Sequence, residues 1–179
     1  NPETDSLGMP ILKLQLKCEL NGLSKLKLDA KTWLNVKVRF PSGDVNDNVW
    51  FHPKEESEIP GSRGTANLVI KQKGSKQWAT IQSEGKEDYP DYEEKNNDWK
   101  TYAYIDCRGL EVTDWIVNAK GFTAETPSGE IVDDIEFEDG EYYGYDEKAE
   151  TDTSILNIET RVIKASKGSG GKRRACKRK

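Results

Sequence analysis

The chain has 179 residues, of which 34% are hydrophobic and 33% are charged, and its formal net charge is −5. That length suits one ordinary domain, or two small domains that share a core. No apolar run is long enough for a transmembrane helix, and the three cysteines form neither a Cys-x-x-Cys pair nor a disulfide-type framework.

Residues 1–8 differ in character from the rest of the chain, and the only methionine, Met9, stands directly after them. We interpret residues 1–8 as a cloning remnant and Met9 as the native start. The segment has neither the charged nor the apolar region of a secretory signal. Together with the sparse cysteines, this predicts an intracellular, cytoplasmic protein.

Alternation of apolar and polar residues dominates the chain from Ile11 to Ile163. Such a period of two is typical of antiparallel strands with one buried face and one wet face. Gly/Pro-rich turn signals separate the runs, and the predicted strands are 11–20, 34–40, 49–52, 65–71, 77–82, 101–107, 112–117, 131–137 and 154–163. We therefore predict an all-β domain over residues 9–165, with antiparallel sheets packed as a sandwich.

A weak internal sequence similarity suggests two related β halves. The segment 16–23 resembles 105–112, because each is a strand that reaches a Cys and then a Gly/Leu turn. The corresponding halves would be 9–83 and 99–165, on either side of the polar stretch 84–98.

Charge is distributed unevenly along the chain. Residues 164–179 carry eight basic side chains and no acidic one, so residues 1–163 carry −13. Because an acidic body repels phosphate backbones, nucleic-acid binding would have to come from the tail. We expect residues 166–179 to be a flexible basic tail, either a solubilising terminus or a nuclear-localisation signal formed by Lys172, Arg173, Arg174, Lys177, Arg178 and Lys179.

Catalytic chemistry has few candidate residues. His52 is the only histidine and comes after an apolar run, so we interpret it as structural, and no nucleophile or metal-ligand constellation can be assembled around it. We predict that the chain is not an enzyme and has no cofactor.

Carboxylates crowd residues 130–152, but they lack the spacing of an EF-hand loop. We interpret the acidic face around 133–152 as a solvated surface that could meet another protein. A calcium site or a carboxylate-based hydrolase is the alternative. The aromatics Tyr142, Tyr143 and Tyr145 lie in this stretch, and they either pack on the core or contribute to binding.

Two further islands stand out. Gly61-Ser62-Arg63-Gly64-Thr65 lacks the spacing of a phosphate loop and predicts a tight turn, in which Arg63 is a clamp or a binding residue. In Cys107-Arg108-Gly109-Leu110-Glu111, the cysteine ends a strand and should be buried, and Arg108 and Glu111 could pair across the turn.

These islands, with Gly121-Phe122 and Tyr145-Asp146-Glu147-Lys148, resemble the eukaryotic CXXC-motif-containing zinc-binding proteins over roughly residues 11–164. The resemblance implies an all-β fold, an intracellular setting and no established enzymatic activity. We consider six residues of these stretches possible interaction residues: Arg63, Arg108, Glu111, Tyr145, Asp146 and Glu147.

The chain departs from the family at the metal. Similar proteins bind one zinc ion through two CxxC pairs, and matching the patterns puts Val38 and Pro41 at the first pair and Gln72 and Ser75 at the second. None of these side chains is a thiolate. We therefore expect no zinc and hypothesise a binding or scaffold protein, with a nuclear or nucleic-acid-associated protein acting through the tail as the alternative.

Overall fold

The computed structural model describes residues 11–85, 88–96, 98–117 and 120–165. Their regular structure is entirely antiparallel β, as the sequence predicts, and the basic tail lies outside these residues. Among the described residues there is no helix long and apolar enough to cross a membrane. The strands are β1 Ile11–Asn21, β2 Lys25–Leu28, β3 Leu34–Arg39, β4 Val45–Phe51, β5 Ser57–Glu58, β6 Thr65–Ala66, β7 Leu68–Ile70, β8 Ala79–Ser83, β9 Tyr92–Glu93, β10 Lys100–Arg108, β11 Glu111–Ile116, β12 Phe122–Glu125, β13 Ile131–Ile135, β14 Tyr142–Asp146 and β15 Thr151–Lys164.

A six-stranded sheet in the order β14-β15-β1-β10-β8-β7 forms the largest layer. Its inner strand β1 buries Leu12, Leu14, Leu16, Cys18 and Leu20, which is the alternation that predicted the strand. A β-bulge between Leu14 and Gln15 interrupts the pairing with β10. Gln15 is buried as well, and it donates to Thr101 Oγ1 at 2.8 Å and accepts from Arg161 Nε at 2.7 Å.

Three smaller sheets complete the fold. They have the orders β11-β3-β4, β13-β12-β2-β9 and β5-β6. Residues from the three larger sheets meet in one hydrophobic cluster, whose fully buried members include Leu26, Val36, Phe51, Tyr92 and Ile155. The sheets are therefore layers around a shared core.

Strands from the two hypothetical halves are interleaved in the same sheets. β1, from residues 9–83, lies between β10 and β15, both from residues 99–165. Similarly, β2 pairs with β12, and β3 pairs with β11.

One strand predicted from the pattern is divided in the structure. The run 65–71 forms β6 and β7 with a break at Asn67. The buried Asn67 amide donates to the carbonyls of Pro53 and Glu55 at 3.0 and 2.9 Å, and its Oδ1 accepts from Ser83 N at 2.6 Å. A side chain that satisfies three backbone groups outweighs the local β preference at this position.

Candidate functional site

Two loops occupy the positions where the resemblance puts the zinc ligands. The first is the β3–β4 tip, residues 40–44, closed by a hydrogen bond from Gly43 N to Phe40 O at 2.8 Å. The second comes after β7, where Ser75 N donates to Gln72 O at 2.9 Å. Backbone hydrogen bonds therefore close both loops as tight turns.

A side-chain contact joins the two loops. The Gln72 Nε2 amide lies 2.6 Å from Ser42 Oγ and 2.6 Å from Asp44 Oδ2. Because a primary amide carries two N–H donors, both acceptors can be satisfied at once. We call this three-residue contact the Gln72 clamp.

The four positions that correspond to zinc ligands do not fit a zinc ion. Val38 is an aliphatic side chain that is fully buried in β3, and Pro41 is exposed at the tip of the first loop. Gln72 is engaged in the clamp, and Ser75 Oγ accepts a hydrogen bond from Gln77 N at 3.1 Å. In the described part of the chain, no group of three or more His, Cys, Asp or Glu residues is placed to hold a metal ion.

The cysteines Cys18 and Cys107 cannot replace the missing thiolates. Both are buried, as expected for Cys107, and burial raises the pKa of each thiol to about 12. The two residues also lie towards opposite ends of the β1–β10 ladder, whose register runs from Ile11 opposite Asp106 to Leu16 opposite Lys100. They therefore remain neutral and separate.

The segment Cys107–Glu111 links two sheets. Gly109 has a φ of +77° and lies so close to β8 that an added Cβ would be 3.2 Å from Ala79 Cα. This turn leaves Arg108 on β10 and Glu111 on β11, so the two do not pair with each other. Arg108 lies 3.5 Å from Asp106, and Glu111 accepts from Arg39 at 2.6 Å.

Arg63 lies in an exposed turn between β5 and β6, as predicted for this segment. The turn is closed by Ser62 N donating to Ile59 O at 3.0 Å, and Ser62 Oγ accepts from Gly64 N at 3.0 Å. Arg63 has no ion pair with any described residue, so its charge remains available at the surface.

The predicted interaction residues of the acidic face have different environments. Tyr145 is 57% exposed and Glu147 is exposed, whereas Asp146 is only 4% exposed. Asp146 Oδ1 accepts the backbone N–H groups of Lys148 and Ala149 at 3.0 and 3.2 Å, which stabilises the β14–β15 turn. Tyr145 and Glu147 are thus surface groups, while Asp146 holds the loop between them and β15.

The tyrosines of β14 divide in the same way. Tyr142 packs against the core, but Tyr143 is 68% exposed. The Tyr143 hydroxyl donates to Glu141 at 2.8 Å, and this hydrogen bond raises the pKa of Tyr143. Packing of these aromatics on the core is therefore correct for Tyr142 and wrong for Tyr143 and Tyr145.

His52 has a structural environment, as the sequence indicated. It is buried, its Nε2 lies 2.8 Å from Ala30 O, and its Nδ1 accepts from Lys54 N at 3.0 Å. Trp33 and Tyr89 pack edge-on against the imidazole ring. Both ring nitrogens are occupied by backbone partners, so the histidine has no free nitrogen for catalysis or metal binding.

The fold is all-β, and it brings two loops from different sheets into contact through the Gln72 clamp. The chain belongs to the eukaryotic family described as CXXC motif containing zinc binding protein, whose model matches residues 13–163.

Curated relatives and a solved structure agree with this assignment. The UPF0587 protein F46B6.12 of Caenorhabditis elegans is 33% identical over 149 residues, covering 79% of this chain and 87% of that protein. The human CXXC motif containing zinc binding protein is 30% identical and covers 86% of this chain and 98% of its own length. The structure of a hypothetical protein from Plasmodium falciparum superposes with a TM-score of 0.75 at 30% identity, covering 86% of this chain and 99% of that one.

Proposed function

We propose that this chain is a non-enzymatic, intracellular binding or scaffold protein that keeps the family fold without the family's zinc ion. The Gln72 clamp carries this proposal, because hydrogen bonds join the two loops at the positions where the family pattern calls for thiolate ligands. The metal in such a site usually supplies folding energy. Here the turns, the clamp and the shared core supply that energy instead.

The environments of the reactive side chains support a role other than catalysis. His52 and the thiols of Cys18 and Cys107 are buried, and each position has a packing role. The relatives named above carry no enzymatic name. A surface that recognises another macromolecule requires only exposed groups of suitable chemistry, and the acidic face around 133–152 offers them.

Metal analysis tests the zinc-free state. Purified protein should contain far less than one zinc ion per chain, and a chelator should leave its melting temperature unchanged. The matched variant V38C/P41C/Q72C/S75C restores both pairs and should bind one zinc ion and melt at a higher temperature when zinc is present. Stoichiometric zinc in the unmodified protein would overturn the proposal.

Affinity capture tests the proposed partner surface. Exposed Tyr143 and Tyr145 are replaced by serine, since neither contributes to the hydrophobic core, and the basic tail is tested by deleting residues 167–179. A specific partner should be lost with Y143S/Y145S and retained by a matched variant with substitutions at exposed Glu55 and Glu58. Equal recovery with both variants would exclude this face.

The alternative is a nuclear or nucleic-acid-associated protein acting through the tail, and the run from Lys172 to Lys179 favours it. Binding of this kind should weaken steeply with salt and disappear when residues 167–179 are deleted. No binding at low salt would exclude it. For the calcium alternative, the described carboxylates form no group placed to hold a metal ion, and the absence of a calcium-induced shift in melting temperature would count against it.

A further inference from the structure

A groove of about 710 Å³ opens between β11, β15 and the β13–β14 connection, residues 136–141. Its apolar surface comes from Ile116, Val117, Phe137 and Ile158. β11 pairs with β3 on one side, and its other edge faces β15, where Thr160 Oγ1 donates to Trp115 O at 2.6 Å. The groove is therefore built on firmly attached strands.

Charged side chains lie beside this apolar surface, and two of the three that line the groove are acidic. Asp47 and Asp114 line the groove together with Lys37, and Asp139 lies next to the lining residue Gly140. All three aspartates are exposed, and none has an ion pair with a described cation. The groove therefore suits long basic side chains, whose aliphatic stems lie on apolar surface while their charges meet carboxylates.

The chain itself carries a segment with this chemistry. Residues 166–179 contain seven Lys or Arg side chains and no carboxylate side chain, and four glycine or serine residues precede the basic run at 168–171. The described chain ends at Ala165, whose N–H donates to Ile11 O at 2.8 Å. This contact fixes the point from which the tail departs.

The length of the tail is sufficient to reach back to the groove. Thr160 and Ile158 line it, five and seven residues before Ala165, so the groove lies about 17 to 23 Å back along β15. When a turn at Gly168–Gly171 reverses the chain, Lys172 lies level with Lys167, and seven further extended residues bring Lys179 about 23 Å back, level with Thr160. The end of the basic run is therefore the part within reach of the groove.

We propose that the end of the basic tail, residues 177–179, binds in cis in this groove. Arg and Lys stems cover Ile116, Phe137 and Ile158, while their charged ends meet Asp47, Asp114 and Asp139. This inference rests on the proposed binding function and names its regulation, since a docked tail competes with any basic partner of the acidic face. Docking also withholds the tail from nucleic acid.

The test uses the full chain with a nitroxide spin label on Cys176, because burial and a pKa of about 12 protect Cys18 and Cys107 from labelling. Methyl signals of isoleucine are recorded by NMR with the label oxidised and reduced. At low salt the oxidised label should weaken the signals of Ile116 and Ile158 and leave that of Ile59, in the β5–β6 turn, unchanged. High salt should restore both groove signals, since it screens the ion pairs.

Two charge-matched variants make the result specific. D47N/D114N/D139N should abolish the signal loss, and asparagine at 139 tolerates the φ of +56° found there. E55Q/E58Q/E94Q removes the same charge at exposed positions outside the groove and should keep the signal loss. Equal signals at Ile116, Ile158 and Ile59, or a loss that persists in the groove variant, would overturn the proposal.

A mixing experiment separates the cis from the trans arrangement. If a spin-labelled chain without isotopes weakened the groove signals of a second, isotope-labelled chain, the tail would dock between copies and the cis proposal would fail. Neither outcome depends on an external partner. Failure of docking is thereby distinguished from failure of the proposed function, which partner capture tests.

Discussion

At the residue scale, buried polar side chains in this protein hold backbone groups in place. Asn67 satisfies three backbone groups, His52 two and Asp146 two. Leaving such backbone groups unpaired in the interior would cost roughly 1–3 kcal/mol each. The sequence alone indicates that His52 is structural, because His52 lacks catalytic neighbours. It does not indicate the partners of Asn67, which are distant in the chain, or those of Asp146, which are set by the geometry of a loop.

Thiol reactivity should follow the burial of Cys18 and Cys107. With a pKa of about 12, Cys18 and Cys107 are ionised in about one molecule in ten thousand at pH 8. A thiol reagent at pH 8 should therefore modify Cys176 in the native protein and the other two only after unfolding, as measured by thiol counting and mass spectrometry. Equal labelling rates for all three cysteines would contradict this.

The same burial gives a pH dependence. The folded-state pKa of each thiol lies above its ordinary value of 9.0. The corresponding contribution to stability is fully present below pH 9 and is lost as the pH rises towards 12. The free energy of unfolding from denaturant titrations should fall across that window.

At the element scale, the Gln72 clamp and the Gly109 turn bring different sheets together. The clamp joins the β3–β4 tip to the loop after β7, and the turn passes the chain from β10 to β11. In the sequence, Pro41 and Gly43 indicate the β3–β4 tip, and Gly109 indicates the turn after β10. The sequence does not indicate the clamp, since Ser42 and Gln72 are distant in the chain and their polar side chains would suit any exposed loop.

Removing the clamp should loosen the loops. Q72A deletes two hydrogen bonds at an exposed site, and each such bond contributes about 0.5–1.5 kcal/mol. The free energy of unfolding should therefore fall by about 1–2 kcal/mol, and amide exchange of Gly43 and Ser75 should accelerate. Q77A, in the same exposed loop but without a side-chain bond of this kind, serves as the control and should change stability little. A Q72A variant as stable as Q77A would show that the clamp is weak in solution.

Gly109 should tolerate substitution less well than Gly74. Both have positive φ, +77° and +86°, so alanine carries backbone strain of about 1–2 kcal/mol at either position. An alanine Cβ at Gly109 also crowds Ala79, whereas the space around Gly74 is open. G109A should lower the melting temperature further than G74A. Equal shifts in melting temperature would mean that β8 moves away from the added Cβ without a loss of stability.

At the scale of the whole molecule, the fold joins distant segments around one core. Alternation identified β1, β3, β10 and β15. Burial follows a strict period of two in β3, whereas Gln15 in β1 and the adjacent pair Tyr102 and Ala103 in β10 depart from it. Alternation missed β2, β5, β9, β12 and β14. β5 and β9 have two residues each and β2 and β12 have four, while β14 contains Gly144 and two outward-facing tyrosines, so the pattern is weak in all five. The order of strands in the sheets depends on pairings between segments that no local pattern encodes.

The interleaved sheets make a prediction about the two hypothetical halves. Residues 9–83 contain β1 but neither of its neighbours β10 and β15, so a fragment of this half would expose the buried leucines of β1. Such a fragment should show no cooperative melting transition by circular dichroism, whereas residues 9–165 should unfold in a single transition. A cooperatively folding fragment would support two independent halves.

The chemistry of the Gln72 clamp also bears on how the protein withstands stress. An amide, a hydroxyl and a carboxylate contain no sulfur, so peroxide has nothing to oxidise at this junction, and a shortage of metal ions cannot open it. A loop pair joined by thiolates and zinc would be open to both. In the proposed zinc-free protein, the shape of the loops should therefore be independent of the redox state and the metal supply of the cell.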